Sequence, residues 1–158
     1  MRARISAGLL MYRFKGGRLE VFLAHPGGPF FVRKDEGHWT IPKGEIGPGE
    51  DYLAAAIREF KEEVCIDIDS KECFIDLGSI RQKGGKTVHA WGVEHDWDDS
   101  QPFQSNTFSV EWPPGSGKLQ EFPEVDRAQF FATNEARRKI KESQLPLLDR
   151  LEAAVELK

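Results

Sequence analysis

GEIGPGEDYLAAAIREFKEEVCI, running from Gly44 to Ile66, is the stretch whose reading decides the fold. A Gly/Pro-rich turn feeds a helix, with Asp51 placed as its N-cap. Leu53, Ile57, Phe60 and Val64 then recur at helical spacing, the buried stripe of an amphipathic helix. Glu59, Glu62 and Glu63 stand at i, i+3 and i+4, so they project from one face. Their placement works against stability. Like charges at that spacing cost roughly 0.2–0.5 kcal/mol per pair. Acids at the negative end of the helix dipole are disfavoured by roughly 0.3–1 kcal/mol each. The first turn, where acids would help, holds Tyr52, Leu53 and Ala54. A solvated face of good helix formers does not account for this arrangement, whereas a cation among the carboxylates does. Clustered oxygen ligands suit a hard ion, and no Cys/His pair at zinc spacing accompanies them, which favours Mg2+ or Mn2+. The chemistry implied is metal-assisted hydrolysis of a phosphoanhydride.

Working outward, Arg4 to Phe14 and Leu19 to Leu23 read as a hairpin turned at Gly16-Gly17. His25 to Pro29 is loop by composition, Phe30 to Lys34 reads as a short strand, and His38 to Pro42 is extended. Beyond the helix, Phe74 to Arg81 and Lys86 to Glu94 read as strands joined at Gly84-Gly85. Asp96 to Ser100 is polar loop, Thr107 to Trp112 alternates as a strand, and Pro113 to Gly117 is a turn. Asp126 to Ala132 is a strand followed by a helix through Ala136 and Ile140. A last helix starts near Ser143 with Leu147, Leu148, Leu151 and Val155 on its core face. Interleaved strands and helices with hairpins predict an α/β (α+β) protein, a mixed sheet with helices packed on it.

The chain has 158 residues, read as one domain over 1–158. A net charge of −4 gives no global basic field for duplex nucleic acid, yet leaves room for a nucleotide in a local basic or metal-bearing pocket. The N-terminal apolar patch is broken by Tyr12, Arg13 and Lys15, too short for a signal peptide or a membrane span. Cys65 and Cys73 are too few for a disulfide scaffold; they read as reduced, partly buried thiols of a cytoplasmic protein.

The opening stretch also resembles the Nudix box, GX5EX7REUXEEXGU with U a bulky apolar residue. Gly44, Glu50, Arg58, Glu59, Phe60, Glu62, Glu63 and Ile66 fall on its positions, and Cys65 stands where the family has glycine. The resemblance implies the Nudix fold, an α/β/α sandwich around a mixed β-sheet, and a Mg2+-dependent pyrophosphohydrolase. By position, Glu59, Glu62 and Glu63 look like the metal-binding acids, with Glu59 or Glu62 also a base. Arg58 and Glu50 resemble the pair that braces the loop, and the backbone carbonyl of Lys43, just before Gly44, is similar to a main-chain metal ligand. A further carboxylate from a late loop is implied: Glu124 fits best, Glu121 is the alternative and Glu111 a weaker one. Glycine past a helix end usually supplies a left-handed cap. A Cys there costs roughly 1–2 kcal/mol, so this end is either strained or built differently.

The side chains of Lys43, Arg33 and Lys34 are candidate phosphate contacts, weighed against ordinary solvated cations. Trp39, Trp91, Trp97 and Trp112 are candidate base platforms, weighed against core packing, with Trp39 taken as substrate-binding. His38, His89 and His95 show no triad-like partner. Within the family, HWTIPKG followed by GEDYLAAAIREFKEE looks most like diadenosine tetraphosphate hydrolases and bacterial NTP pyrophosphohydrolases. The substrate is therefore expected to be a nucleoside diphosphate linked to another moiety, a dinucleoside polyphosphate or a (d)NTP. The alternatives are an RNA 5′-pyrophosphohydrolase, which the acidic balance opposes, and a non-catalytic nucleotide sensor, which the complete acid set opposes. Specificity is expected in the loops Pro26 to Glu36 and Asp96 to Gly117.

Overall fold

The computed structural model describes residues 4–98 and 104–156; part of the polar loop Asp96 to Ser100 lies outside them. Two long strands, β1 (Ile5–Lys15) and β2 (Arg18–Pro26), form the expected hairpin. The short β3 (Lys43–Glu45) also pairs with β1. After the helix α1 (Tyr52–Val64) come β4 (Phe74–Arg81) and β5 (Thr87–Glu94), joined by a 3-10 turn over Lys83–Gly85. A six-stranded mixed sheet results. β1 pairs in parallel with β5 and antiparallel with β2, and the antiparallel β8 (Val125–Ala132) closes the far edge beside β2.

Residues on β1 explain why the sheet needs cover on both faces. Leu10 and Tyr12 point into one buried cluster, with Leu147, Leu148 and Leu151 of α3 (Leu145–Glu156). Ala136, beside α3 in that cluster, comes from α2 (Thr133–Lys139). Ala7, Leu9 and Met11 alternate into a second cluster with Ala55, Ala56, Phe60 and Val64 of α1. A strand buried on both faces is apolar without interruption, as AGLLMY from Ala7 to Tyr12 is. The architecture is the helix–sheet–helix sandwich expected from the sequence. No helix among the described residues is long and apolar enough to cross a membrane.

A separate antiparallel pair, β6 (Thr107–Glu111) and β7 (Leu119–Pro123), stands off the main sheet. Three expectations need correction. Phe30 to Lys34 is not a strand but a pair of tight turns, closed by Phe31 N–H to the Gly28 carbonyl (3.4 Å) and Lys34 N–H to the Phe31 carbonyl (2.9 Å). β7 was not expected; its Leu119 is 75% exposed, so no burial pattern announces it. Cys65 and Cys73 are unpaired as expected, but exposed rather than partly buried.

Candidate active site

The turn ahead of α1 is held by Glu50. Its Oε1 accepts the Gly47 N–H (2.8 Å) and Arg58 Nη2 (2.9 Å), while its Oε2 accepts Arg58 Nε (2.8 Å). Two parallel bonds from a planar guanidinium fix the turn against the helix. Arg58 holds the Glu50 carboxyl down to about 2, with the Gly47 N–H adding to the effect. Asp51 caps α1 by accepting the Ala54 N–H (3.1 Å). At the other end Cys65 adopts the left-handed conformation itself (φ 57, ψ 31), and its N–H reaches the Lys61 carbonyl (2.8 Å). Among the described residues it is the one non-glycine residue with positive φ. The cap is kept, and the strain falls on Cys65.

Arg58 also reaches the acids. Its Nη1 donates to Glu59 Oε1 (2.9 Å) and to both Glu62 oxygens (3.2 Å). This internal cation offsets part of the repulsion on the helix face. The rest is visible in the carboxyls. Burial pushes Glu63 up to about 8, although the Lys43 N–H opposes the shift; Glu59 and Glu124 nearby push it further up. Glu59 is raised by burial first and by Glu62 and Glu124 in addition, against the pull of Arg58. Glu124, although exposed, is raised by loss of water and then by Glu62.

These acids come from two elements, α1 and the β7–β8 junction, with β3 packed against α1 beside them. Backbone bonds hold the junction to the helix. Asn106 N–H donates to the Glu62 carbonyl (3.2 Å), and Glu124 N–H donates to the Asn106 carbonyl (2.7 Å). Gly44 lies under Glu59 so closely that a Cβ there would overlap its carboxylate. Glu63 Oε2 is buried without a hydrogen-bond partner. A buried carboxylate oxygen left alone is costly, and a divalent cation is the ordinary way to satisfy it. Hard oxygen donors from Glu59, Glu62, Glu63 and Glu124, with the Lys43 carbonyl on β3, fit such an ion. Among the described residues no three acidic, His or Cys side chains stand close enough together to hold a metal ion as they are placed. Arg58 accounts for the spread, because it holds Glu59 and Glu62 to itself.

The Lys43 ammonium is pushed down by burial; Glu63 and Glu45 oppose this, while Lys141 and Lys86 add to it. Lys43 thus belongs to a small cationic group beside the acids. Lys141 also lines a cavity of about 430 Å3 together with Lys83 and Ser143. This group is not legible from spacing, since Lys43, Lys86 and Lys141 lie far apart in the chain.

A NUDIX domain matches residues 2–151. The chain belongs to the NUDIX domain family. It is 46% identical over 90 residues to the bis(5′-nucleosyl)-tetraphosphatase [asymmetrical] of Caenorhabditis elegans, over 54% of this chain and 61% of that protein. It is 37% identical over 63 residues to the enzyme of that name from Rattus norvegicus, over 36% of this chain and 42% of that protein. The chain thus spans less than two thirds of the length of these curated relatives. Its fold is that of the C. elegans Ap4A hydrolase binary complex, with TM-score 0.70 and 23% identity over 97% of this chain and 99% of that one.

Other candidates fall outside this NUDIX centre. Glu121 sits on β7 and accepts the Thr107 hydroxyl (2.6 Å), which leaves Glu124 as the late carboxylate beside the helix acids. Arg33 and Lys34 are exposed on their turn. Trp39, read as substrate-binding, is a core residue: it is 2% exposed, packs edge-on to Phe131 (4.9 Å between ring centres) and donates its Nε1–H to Asp35 (2.8 Å). The apolar core took the ring, and its N–H found a partner inside. His89 does have triad-like partners, contrary to expectation. Its Nε2 lies 2.7 Å from Asp76 and its Nδ1 lies 3.2 Å from the Ser79 hydroxyl. The ring is stacked on Trp91, and Asp76 also accepts the Gly78 N–H at the β4 bulge (2.8 Å), so the trio fastens an irregular edge strand.

Proposed function

We propose that this NUDIX chain is a Mg2+-dependent pyrophosphohydrolase, with Mn2+ as the alternative ion, that cuts a phosphoanhydride in a nucleoside diphosphate linked to another moiety. The carrying observation is the buried Glu63 Oε2 without a partner, at the centre of carboxyls that raise one another. Glu59, Glu62, Glu63, Glu124 and the Lys43 carbonyl would hold the ion. When bound, it polarises a phosphoryl oxygen and lowers the pKa of a water. Glu59 or Glu62 takes the proton of the attacking water. The new P–O bond forms as the bridging P–O bond breaks, and the departing phosphate carries the charge away. Lys43, with Lys86 and Lys141 around it, neutralises phosphate oxygens as point charges.

A dinucleoside polyphosphate is the substrate class we favour, ahead of a (d)NTP. Pro123 and Asp126, on either side of Glu124 in sequence, line a cavity of about 370 Å3, which gives room beside the acids for more than a triphosphate. The names of the relatives agree with this reading. A cytoplasmic setting suits the exposed free thiols of Cys65 and Cys73. The test is turnover with Mg2+ or Mn2+ on diadenosine polyphosphates, (d)NTPs, ADP-ribose and 5′-triphosphate RNA, with products identified. We expect a diadenosine polyphosphate to be cut fastest, and Glu62→Gln to lose at least 100-fold in kcat, as removal of a general base does, while still binding nucleotide. No turnover by the wild type on any of them would overturn the proposal.

A further inference from the structure

The cavity on the Glu124 side is built by two segments that share no secondary structure. One wall is the turn after β2, with Gly28 and Val32; the other is the β6–β7 hairpin, with Trp112 and Phe122; Asp126 closes the floor. The walls are pressed together. Gly27 N–H donates to the Glu124 carbonyl (2.9 Å), and a Cβ on Gly27 would run into the Pro123 carbonyl. Gly28, at φ 96, abuts the tip of the Phe108 ring, where a Cβ would overlap Cζ. At the rim, Phe30 meets Trp112 edge to face with ring centres 5.5 Å apart. Phe30 and Val32 remain 55% and 63% exposed, large apolar side chains at the mouth of a cavity rather than in a core.

Asp126 gives this apolar cavity a polar end. Its Oδ1 lies 2.7 Å from Nδ1 of His25, whose Nε2 lies 2.6 Å from the Lys34 carbonyl. His25 is fully buried, and both of its partners are acceptors. The ring thus bridges Asp126 to the turn that forms the opposite wall. Asp126 Oδ2 makes no hydrogen bond among the described residues, which leaves an acceptor for an incoming N–H.

We propose that this cavity takes an amino-bearing purine of the substrate, its ring packed against Trp112 and Phe122 and its amino group donating to Asp126. The proposal rests on the nucleotide-hydrolase reading above. Pro123 and Asp126 bracket Glu124 in sequence, so a nucleotide whose phosphates lie at the acids has its base beside this cavity. The size is within the usual range for small-molecule pockets, and aromatic walls with one fixed acceptor suit a flat heterocycle. His25 is a positioning residue here, acting through Asp126 and Lys34.

The test is calorimetric binding to the full chain with Mg2+, using AMP, purine riboside 5′-monophosphate and ribose 5-phosphate. Wild type should bind them in that order of decreasing affinity. Trp112→Ala should weaken AMP about tenfold or more, the usual loss for a stacked base, and leave ribose 5-phosphate within about twofold. Asp126→Asn should erase the preference for AMP over purine riboside monophosphate. Val32→Glu changes a side chain that is 63% exposed, so it should fold normally, and it should weaken AMP several-fold. AMP binding like wild type in both Trp112→Ala and Val32→Glu would overturn the proposal. So would equal affinity of the wild type for AMP and ribose 5-phosphate. Failure of the hydrolase reading would look different: the wild type would turn over none of the polyphosphates, whatever these variants bind.

Discussion

Cys65 carries a cost that its position does not require. At φ 57 a Cβ presses on the following carbonyl, worth roughly 1–2 kcal/mol, and glycine would remove it while adding some freedom to the unfolded chain. Cys65→Gly should therefore raise the melting temperature by about 2–4 °C, equivalent to about 1 kcal/mol at this size, without changing kcat. Cys65→Ala, which keeps the Cβ, should leave melting unchanged. A lowered melting temperature in the glycine variant would show that Cys65 is held by something other than its backbone. Residue by residue, the sequence showed what depends on local spacing: the three helix acids, the Asp51 cap and the Glu50–Arg58 pair lie within one turn-and-helix segment. It did not show partnerships made by strand register. Ser79 meets His89 because β4 pairs with β5, and His25 meets Asp126 because β2 pairs with β8, a separation of 101 residues. Trp39 is a core residue for the same reason: its bridge to Ile140 carries it under the sheet.

At the scale of elements, β3 and α1 work as one unit with no room to spare. Gly44 is the point of closest approach, and its hydrogen is what lets the Glu59 carboxylate lie on the β3 backbone. Gly44→Ala should push Glu59 aside and lower kcat by 10-fold or more, while the circular dichroism spectrum and α1 content stay as in wild type. Unchanged kcat would mean that Glu59 has slack in the working enzyme. Elements that bury a face were legible: α1 by its stripe, β1 by its unbroken apolar run. Elements that bury little were not. Phe30 to Lys34 has strand-like residues but no neighbouring strand to pair with, and β7 exists only because β6 lies beside it.

For the whole molecule, stability is tied to the acids of α1 and the β7–β8 junction. Glu63, near 4.5 when unfolded and about 8 when folded, holds a proton in the native state that the unfolded chain gives up between those values. Its contribution is full below about 4.5 and is lost as pH rises through about 8. Glu59 and Glu124 shift in the same direction. In EDTA the melting temperature should thus fall from pH 5 to pH 8, and Glu63→Gln should flatten that fall. Because a ligating carboxylate must lose its proton, Mg2+ should raise melting more at pH 8 than at pH 5. A Glu63→Gln variant with the wild-type slope would show that another group sets it.

The β6–β7 hairpin has one more consequence. Its ends are tied to α1 by the backbone bonds of Asn106 and Glu124, while Trp112 and Phe122 face the cavity. Backbone links do not depend on side-chain identity. Change between Phe108 and Phe122 can therefore reshape the cavity while the acids of α1 keep their geometry, which makes this hairpin a replaceable cassette on a fixed chassis.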